Sequence, residues 1–312
     1  MEHRKLIKSG KSSLIVSLPN EWVKRNKLDK GDEIYFEEVK SNELILKTDY
    51  IEKEKDSKII INTKGKDDAR IEREIMSAYI NNYSTIEVIG GIKSLQQIEE
   101  IIHNLIGLDV IEQTSDKIII KNFLDPGDIS LKDSLRRLDT TIRSMMIDTK
   151  ECISGKMSYE EIYRRDANVN KTRVLIFTLL RNPTMIPKIE KEFENENISS
   201  LELWFLTFNM EIIADESKRI AKYSSKLSNN ERKEIRKIYE IIEESYLETI
   251  KAFYKKDKEL AHNAAFKKYD IIQKCRNLLE KVSNKSAIMI IEKLKGMEGA
   301  VRDIARIVID LR

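Results

Sequence analysis

The residues best placed for chemistry in this chain are basic and lie near its start. Arg4, Lys5, Lys8 and Lys11 crowd one segment, with Ser9, Ser12 and Ser13 among them. Lysine and arginine attract phosphates by charge, and short hydroxyls donate to phosphate oxygens. The surrounding charge is directional. Before Gly31 there are eight basic and three acidic residues; from Gly31 to Glu54 there are eight acidic and three basic. Residue types alone leave two readings open here, a phosphate-contacting strand and an ordinary solvated basic segment.

Other motifs only imitate chemistry. SGKSS (9–13) resembles the end of a phosphate-binding loop, but Lys5 stands where that loop needs its first glycine, and a strand pattern follows instead of a helix. The three histidines, His3, His103 and His262, sit at no metal-ligand spacing, and no Ser, His and Asp arrangement is visible. The two cysteines, Cys152 and Cys275, form no CxxC pair and read as buried thiols. Hydrolase and transferase machinery is therefore missing, and the chain is expected not to be an enzyme. No apolar run is long enough to span a bilayer, and MEHRKLIKSG has no apolar signal region. A cytoplasmic protein without membrane insertion is the expectation.

The elements that must position the basic segment fall into three styles, so a multidomain, mostly α chain is predicted. Residues 1–50 read as a β-rich head: SSLIVSLP as a strand, EWVKRNKL as a short helix, then EIYFEEV and ELILKTD as a strand pair. So small a unit lacks a core of its own and should need a second copy. Residues 51–127 read βαβαββ, a small α/β domain with Ile59, Ile61, Ile86, Val88, Ile118 and Ile120 in its sheet. Residues 128–312 are helical throughout, opening with the seam Leu131, Leu135, Leu138, Ile142 and Met145. An internal repeat is visible: 209–222 overlays 296–309 without a gap, pairing Met210 with Met297, Glu211 with Glu298 and Ile220 with Ile307. Asp166 likewise falls over Asp270. Two three-helix-bundle repeats, about 130–228 and 230–312, are expected.

RKLIKSGKSSLIVSLPNEWVKRNKLDKGDEIYFEEV (4–39) resembles the swapped-hairpin DNA-binding domain of the AbrB and SpoVT regulators. Basic residues precede a glycine, a strand ends in Leu-Pro, a short helix holds Trp22, and Lys30-Gly31-Asp32 enters a strand. The resemblance implies a homodimer through this head, with Arg4, Lys5, Lys8, Lys11 and Ser12 facing DNA. It places Leu6, Ile15, Val16, Leu18, Trp22 and Val23 in the core. The helical half is similar to the PhoU phosphate-uptake regulators, through Glu211–Asp215 and Asp166–Asn170. The order of parts resembles archaeal phosphate regulators, and implies transcriptional control of phosphate homeostasis. The alternative is an adaptor that contacts phosphate-transport or signalling proteins without specific DNA binding.

The PhoU resemblance also implies acidic pairs four apart that hold metal clusters. Such spacing puts both carboxylates on one helix face. The chain departs from that pattern. Repeat one keeps Asp166, Asn170, Glu211 and Asp215, an oxygen-rich set that suits a hard divalent or iron-type cation; Arg165 or Arg173 could satisfy these acids instead. Repeat two has Asp270 with Lys274 and Glu298 with Arg302. There, structural ion pairs across the two helices, Lys274 to Glu298 and Arg302 to Asp270, are expected in place of a metal.

Overall fold

The structure is a computed structural model that describes residues 3–10, 13–40, 43–48, 57–90, 95–193 and 198–311. The chain divides into two compact units, Met1–Lys55 and Asp56–Arg312.

The first unit holds two hairpins around a short helix. Strand β1 (Ile7–Ser9) pairs antiparallel with β2 (Ser13–Ile15), matching Ile7 to Ile15 and Lys8 to Leu14. Gly10, at φ +69, supplies the left-handed backbone where this hairpin turns. Helix α1 (Asn20–Arg25) follows Pro19, and β3 (Tyr35–Lys40) pairs antiparallel with β4 (Glu43–Lys47). The expected core does not form within one chain. Leu6, Ile15 and Val16 are exposed, Leu18, Trp22 and Val23 are only half-buried, and Leu14, Phe36 and Leu44 each keep more than half of their surface. The three-residue strands of the first hairpin and the short helix after it are too small to close over their own apolar side chains, which stay exposed or half-buried within the unit.

The second unit opens with the expected βαβαββ order: β5 (Lys58–Asn62), α2 (Asp68–Ile80), β6 (Thr85–Ile89), α3 (Leu95–His103), β7 (Leu108–Gln113) and β8 (Lys117–Asn122). The sheet order is β5-β6-β8-β7, with β5 and β6 parallel and the other pairs antiparallel. Register puts Ile59 beside Ile86 beside Ile120, and Ile61 beside Val88 beside Ile118. Two-residue alternation turns these to one face, where they pack with Ile71, Ile75 and Tyr79 of α2 and Ile98 and Ile101 of α3.

The rest is helical. The long members are α4 (Leu131–Ile153), α5 (Glu160–Arg181), α7 (Ser200–Ser224), α8 (Asn229–Lys255) and α11 (Lys285–Asp310); α6 (Ile186–Glu192), α9 (Lys258–Phe266) and α10 (Lys268–Leu279) are short. Local chemistry sets the ends. Ser199 and Ser228 form capping boxes with Glu202 and Glu231, while Ser130, Asp257 and Asn284 cap α4, α9 and α11. The seam predicted on α4 is fully buried. Each repeat carries its expected long helices, but the middle helix of the second is interrupted at Lys267. Helices α7 and α11 pack together, and their overlaid positions share burial: Met210 with Met297, Ala214 with Val301, Ser217 with Ile304 and Ile220 with Ile307.

The α/β layer has its own core yet belongs to the same compact unit as the bundle. Helix α5 joins them. Its Val174 enters the α/β core, while Leu175, Ile176 and Leu179 enter the bundle core. Asn82 completes the joint. It stands at φ +61, donates to the Thr178 carbonyl at 3.1 Å and accepts from Asn182 at 3.1 Å. Replacing Asn82 with Ala removes both bonds and strains a left-handed position, which should cost about 1–3 kcal/mol. At about 2–4 °C per kcal/mol the melting temperature should fall by several degrees. Asn82→Gly, which adopts the backbone freely, should lose less. Equal melting of wild type and Asn82→Ala would show that this joint holds nothing.

Candidate functional site

Two regions carry charge in unusual surroundings. In the head, Arg4, Lys5 and Lys8 are all exposed along the segment leading into and through β1. Lys8 lies opposite Leu14, so one side of the hairpin carries a cation next to an unburied apolar side chain. Lys11 and Ser12, the other expected contacts, lie outside the described residues.

The second region is in repeat one of the helical body. Helix α5 supplies Asp166 and Asn170, one turn apart; α7 supplies Glu211 and Asp215, also one turn apart. The structure brings these four together around a residue that the spacing did not single out. The Lys218 ammonium donates to Asp166 Oδ2 at 2.6 Å and to Asp215 Oδ1 at 2.9 Å. Asn170 Nδ2 reaches Asp166 Oδ2 only at 3.4 Å. Asp215 is shared with Arg219 at 2.9 Å, and Arg219 also meets Glu216 at 3.0 Å. Lys293 of α11 approaches Glu216 at 3.5 Å. Arg173 stands 3.9 Å from Glu211 and lies over the ring of Phe177, which stacks on Trp204 at 3.8 Å between centroids. Arg165, the other arginine considered for these acids, pairs instead with Asp148 at 2.8 Å.

The electrostatics follow from this geometry. Burial pushes the Glu211 carboxyl above its usual range. Arg173 opposes that shift, and the neighbouring Asp215 and Asp166 reinforce it. Burial works against the charged form of Lys218, but hydrogen bonds to Asp166 and Asp215 outweigh it and leave the ammonium firmly protonated. Two carboxylates are therefore bridged by a tethered cation. Lys218 thus stands between these two carboxylates, and among the described residues no group of three or more His, Cys, Asp or Glu side chains is gathered as metal ligands. Lysine three residues after Asp215 reads in sequence as a surface helix residue. Its reach to α5, 52 positions earlier, is tertiary and leaves no local signal.

Repeat two corrects the expected ion pairs. Lys274 pairs with Asp270 and Arg302 with Glu298, the latter at 3.9 Å, each within its own helix. The pairs expected across helices do not form. Groups four apart already meet on one helix, and Asp270 points outward with 53 % of its side chain exposed, whereas Glu298 points inward with 6 %. Glu298 shares a small cavity with Lys268, Arg302 and Ser245, and burial raises its carboxyl against the pull of Arg302 and Lys268. The overlay of α7 on α11 holds in burial at its apolar positions but not at Glu211, intermediate, and Glu298, buried, while Asp166, buried, and Asp270, exposed, are not equivalent.

Comparison with known proteins adds two similarities. Residues 7–59 match a family model described as antidote-toxin recognition MazE, bacterial antitoxin. The crystal structure of PhoU from Pseudomonas aeruginosa is similar at a TM-score of 0.44 and 14 % identity, over 58 % of this chain and 90 % of that one. No curated protein matches the chain.

Two outcomes are expected for the carboxylate nest. Lys218→Met should destabilise the chain by up to about 3–5 kcal/mol, because Asp166 is left buried without a cation; adding Asp166→Asn should recover part of the loss. A Lys218→Met protein that melts like wild type would show the bridge to be dispensable. Glu211 has a folded pKa above its unfolded one, so its effect on stability is most favourable below the unfolded pKa and declines as pH rises through the folded pKa. Glu211→Gln should therefore melt higher than wild type at roughly pH 8, with the gap closing towards roughly pH 4. A gap that widens on acidification would reverse the assigned sign.

Proposed function

We propose that this chain is a DNA-binding transcriptional regulator of phosphate homeostasis, in which the head holds DNA as a dimer and the helical body responds to phosphate status or to a partner. The observation that carries the DNA part is the head itself. Residues 7–59 match an antitoxin family, Arg4, Lys5 and Lys8 are exposed just before and within that stretch, and its apolar strand residues are uncovered. A second copy supplies the missing cover and doubles the cationic set. The phosphate part rests on the resemblance of the Asp166–Asn170 and Glu211–Asp215 segments to the PhoU regulators. A cytoplasmic location accords with this role, and no helix among the described residues is long and apolar enough to cross a membrane.

A second function has its own support. The matched family is described by recognition of a toxin, which makes its partner a protein. Helix α7 also exposes Leu201, Phe205 and Phe208, spaced four and three apart on one face. An adaptor that binds phosphate-transport or signalling proteins would use such a stripe.

DNA affinity measured against salt separates the two. Each phosphate contact should contribute about −0.9 to the slope of log affinity against log salt. The full chain is expected to bind genomic fragments with a slope of several such contacts. Lys8→Glu combined with Lys11→Glu should abolish binding while light scattering still shows a dimer. Unchanged affinity in that variant removes the proposed contact face, and absence of salt-dependent binding by the wild type leaves the adaptor.

A further inference from the structure

Among the described residues, helices pack against one face of the four-stranded sheet. Helices α2 and α3 pack on the face that carries Ile86, Val88, Ile118 and Ile120. The opposite face is set by the alternate residues, and its outward charges follow a regular order. Crossing the sheet as β5-β6-β8-β7, Lys58 pairs with Glu87, Glu87 with Lys117 at 3.5 Å, and Lys117 with Glu112 at 3.6 Å. Between them lie Ile60, Ile89 and Ile119, and Ile60 keeps 58 % of its surface exposed. The face thus carries apolar side chains crossed by a row reading plus, minus, plus, minus, with Lys121 beside Asp109 at one end of it.

Such a row is complementary to itself. A two-fold axis lying in the plane of the face, perpendicular to the row and passing between β6 and β8, reverses its order. Each lysine then lies over a glutamate of the other copy, with Lys117 over the partner's Glu87. The opposite relation, with the axis along the row, sets like charges over like. We propose that this sheet face is a second contact surface between two copies of this chain, closed by that two-fold.

Size decides how the contact works. Four strands of about five residues offer a flat footprint of about 300 Å². A stable interface takes about 800 Å² per partner. The face alone is too small to assemble two chains from dilute solution, but a pair already joined elsewhere closes it as an intramolecular step. The uncovered strands of the head supply the reason to expect such a pair, although the charge order on the sheet is independent of them.

The test is disulfide trapping in the full chain. Cys152 and Cys275 are both buried, with thiols pushed up to about 11, so they stay silent under mild oxidation. Ile119→Cys, next to the axis on β8, is expected to give a covalent dimer in high yield. A cysteine at exposed Asn230 at the start of α8 gives little. Adding Lys117→Glu to Ile119→Cys should slow trapping several-fold, since glutamate then opposes Glu87, and Lys117→Arg should leave it fast. Light scattering on the untrapped protein reports the pairing of the head separately. A dimer by scattering that does not trap through Ile119→Cys overturns the sheet contact and leaves the head dimer standing. Equal trapping at Asn230, or no effect of Lys117→Glu, overturns it as well, because either result means random collision.

Discussion

A carboxylate taken into a helical interior must be met by a cation, and much of this body is arranged to meet that demand. Asp166 is held by Lys218, Asp139 by Arg143, Glu216 by Arg219, and Glu243 by Lys150 from another helix. Asp139 shows the rule most completely. Arg143 donates to both of its oxygens at 2.9 Å, and the fully buried Tyr246 hydroxyl adds a third bond at 2.8 Å. Within one helix, spacing of three or four supplies the partner without tertiary help. Between helices the partner fixes which turn of one lies against which turn of the other. Lys218 is of this second kind, and so ties α5 to α7.

How far such features could be read from sequence depends on whether their cause is local. The sheet residues Ile59, Ile61, Ile86, Val88, Ile118 and Ile120 follow from alternation, and the register shows them side by side. The α4 seam follows from the helical period. The overlay of 209–222 on 296–309 was legible because both segments are core helices of one plan. Three things were not. Lys218 has an unremarkable position three residues after Asp215, and its importance comes from a helix 52 residues earlier. The expected cross-helix pairs of repeat two failed because Asp270 and Asp166 share a letter and not an environment. The core assigned to Leu6, Ile15 and Val16 does not form within the head, because its strands are too short to close over their own apolar side chains.

The head and the helical body are stabilised by different means. The body closes over its own apolar side chains, with long capped helices and two cores that share α5. The head has short strands and no buried residue among those described. Its charge is also arranged differently. The body pairs its buried carboxylates with cations, whereas the head carries Lys5 and Lys8 exposed at its surface.

Helix α5 has one more property that follows from where its residues go. From Val174 to Leu180 every residue is buried, some against the α/β layer and some against the bundle. Eight residues before Val174, about 12 Å along the same axis, stands Asp166 in the grip of Lys218. A helix hydrogen-bonded throughout turns as a rigid axle. Any rotation that draws Asp166 away from Lys218 also swings Val174 in the α/β core, and any slip of the sheet turns Asp166. The charge nest and the seating of the sheet are two ends of one shaft, with a single angle between them to set.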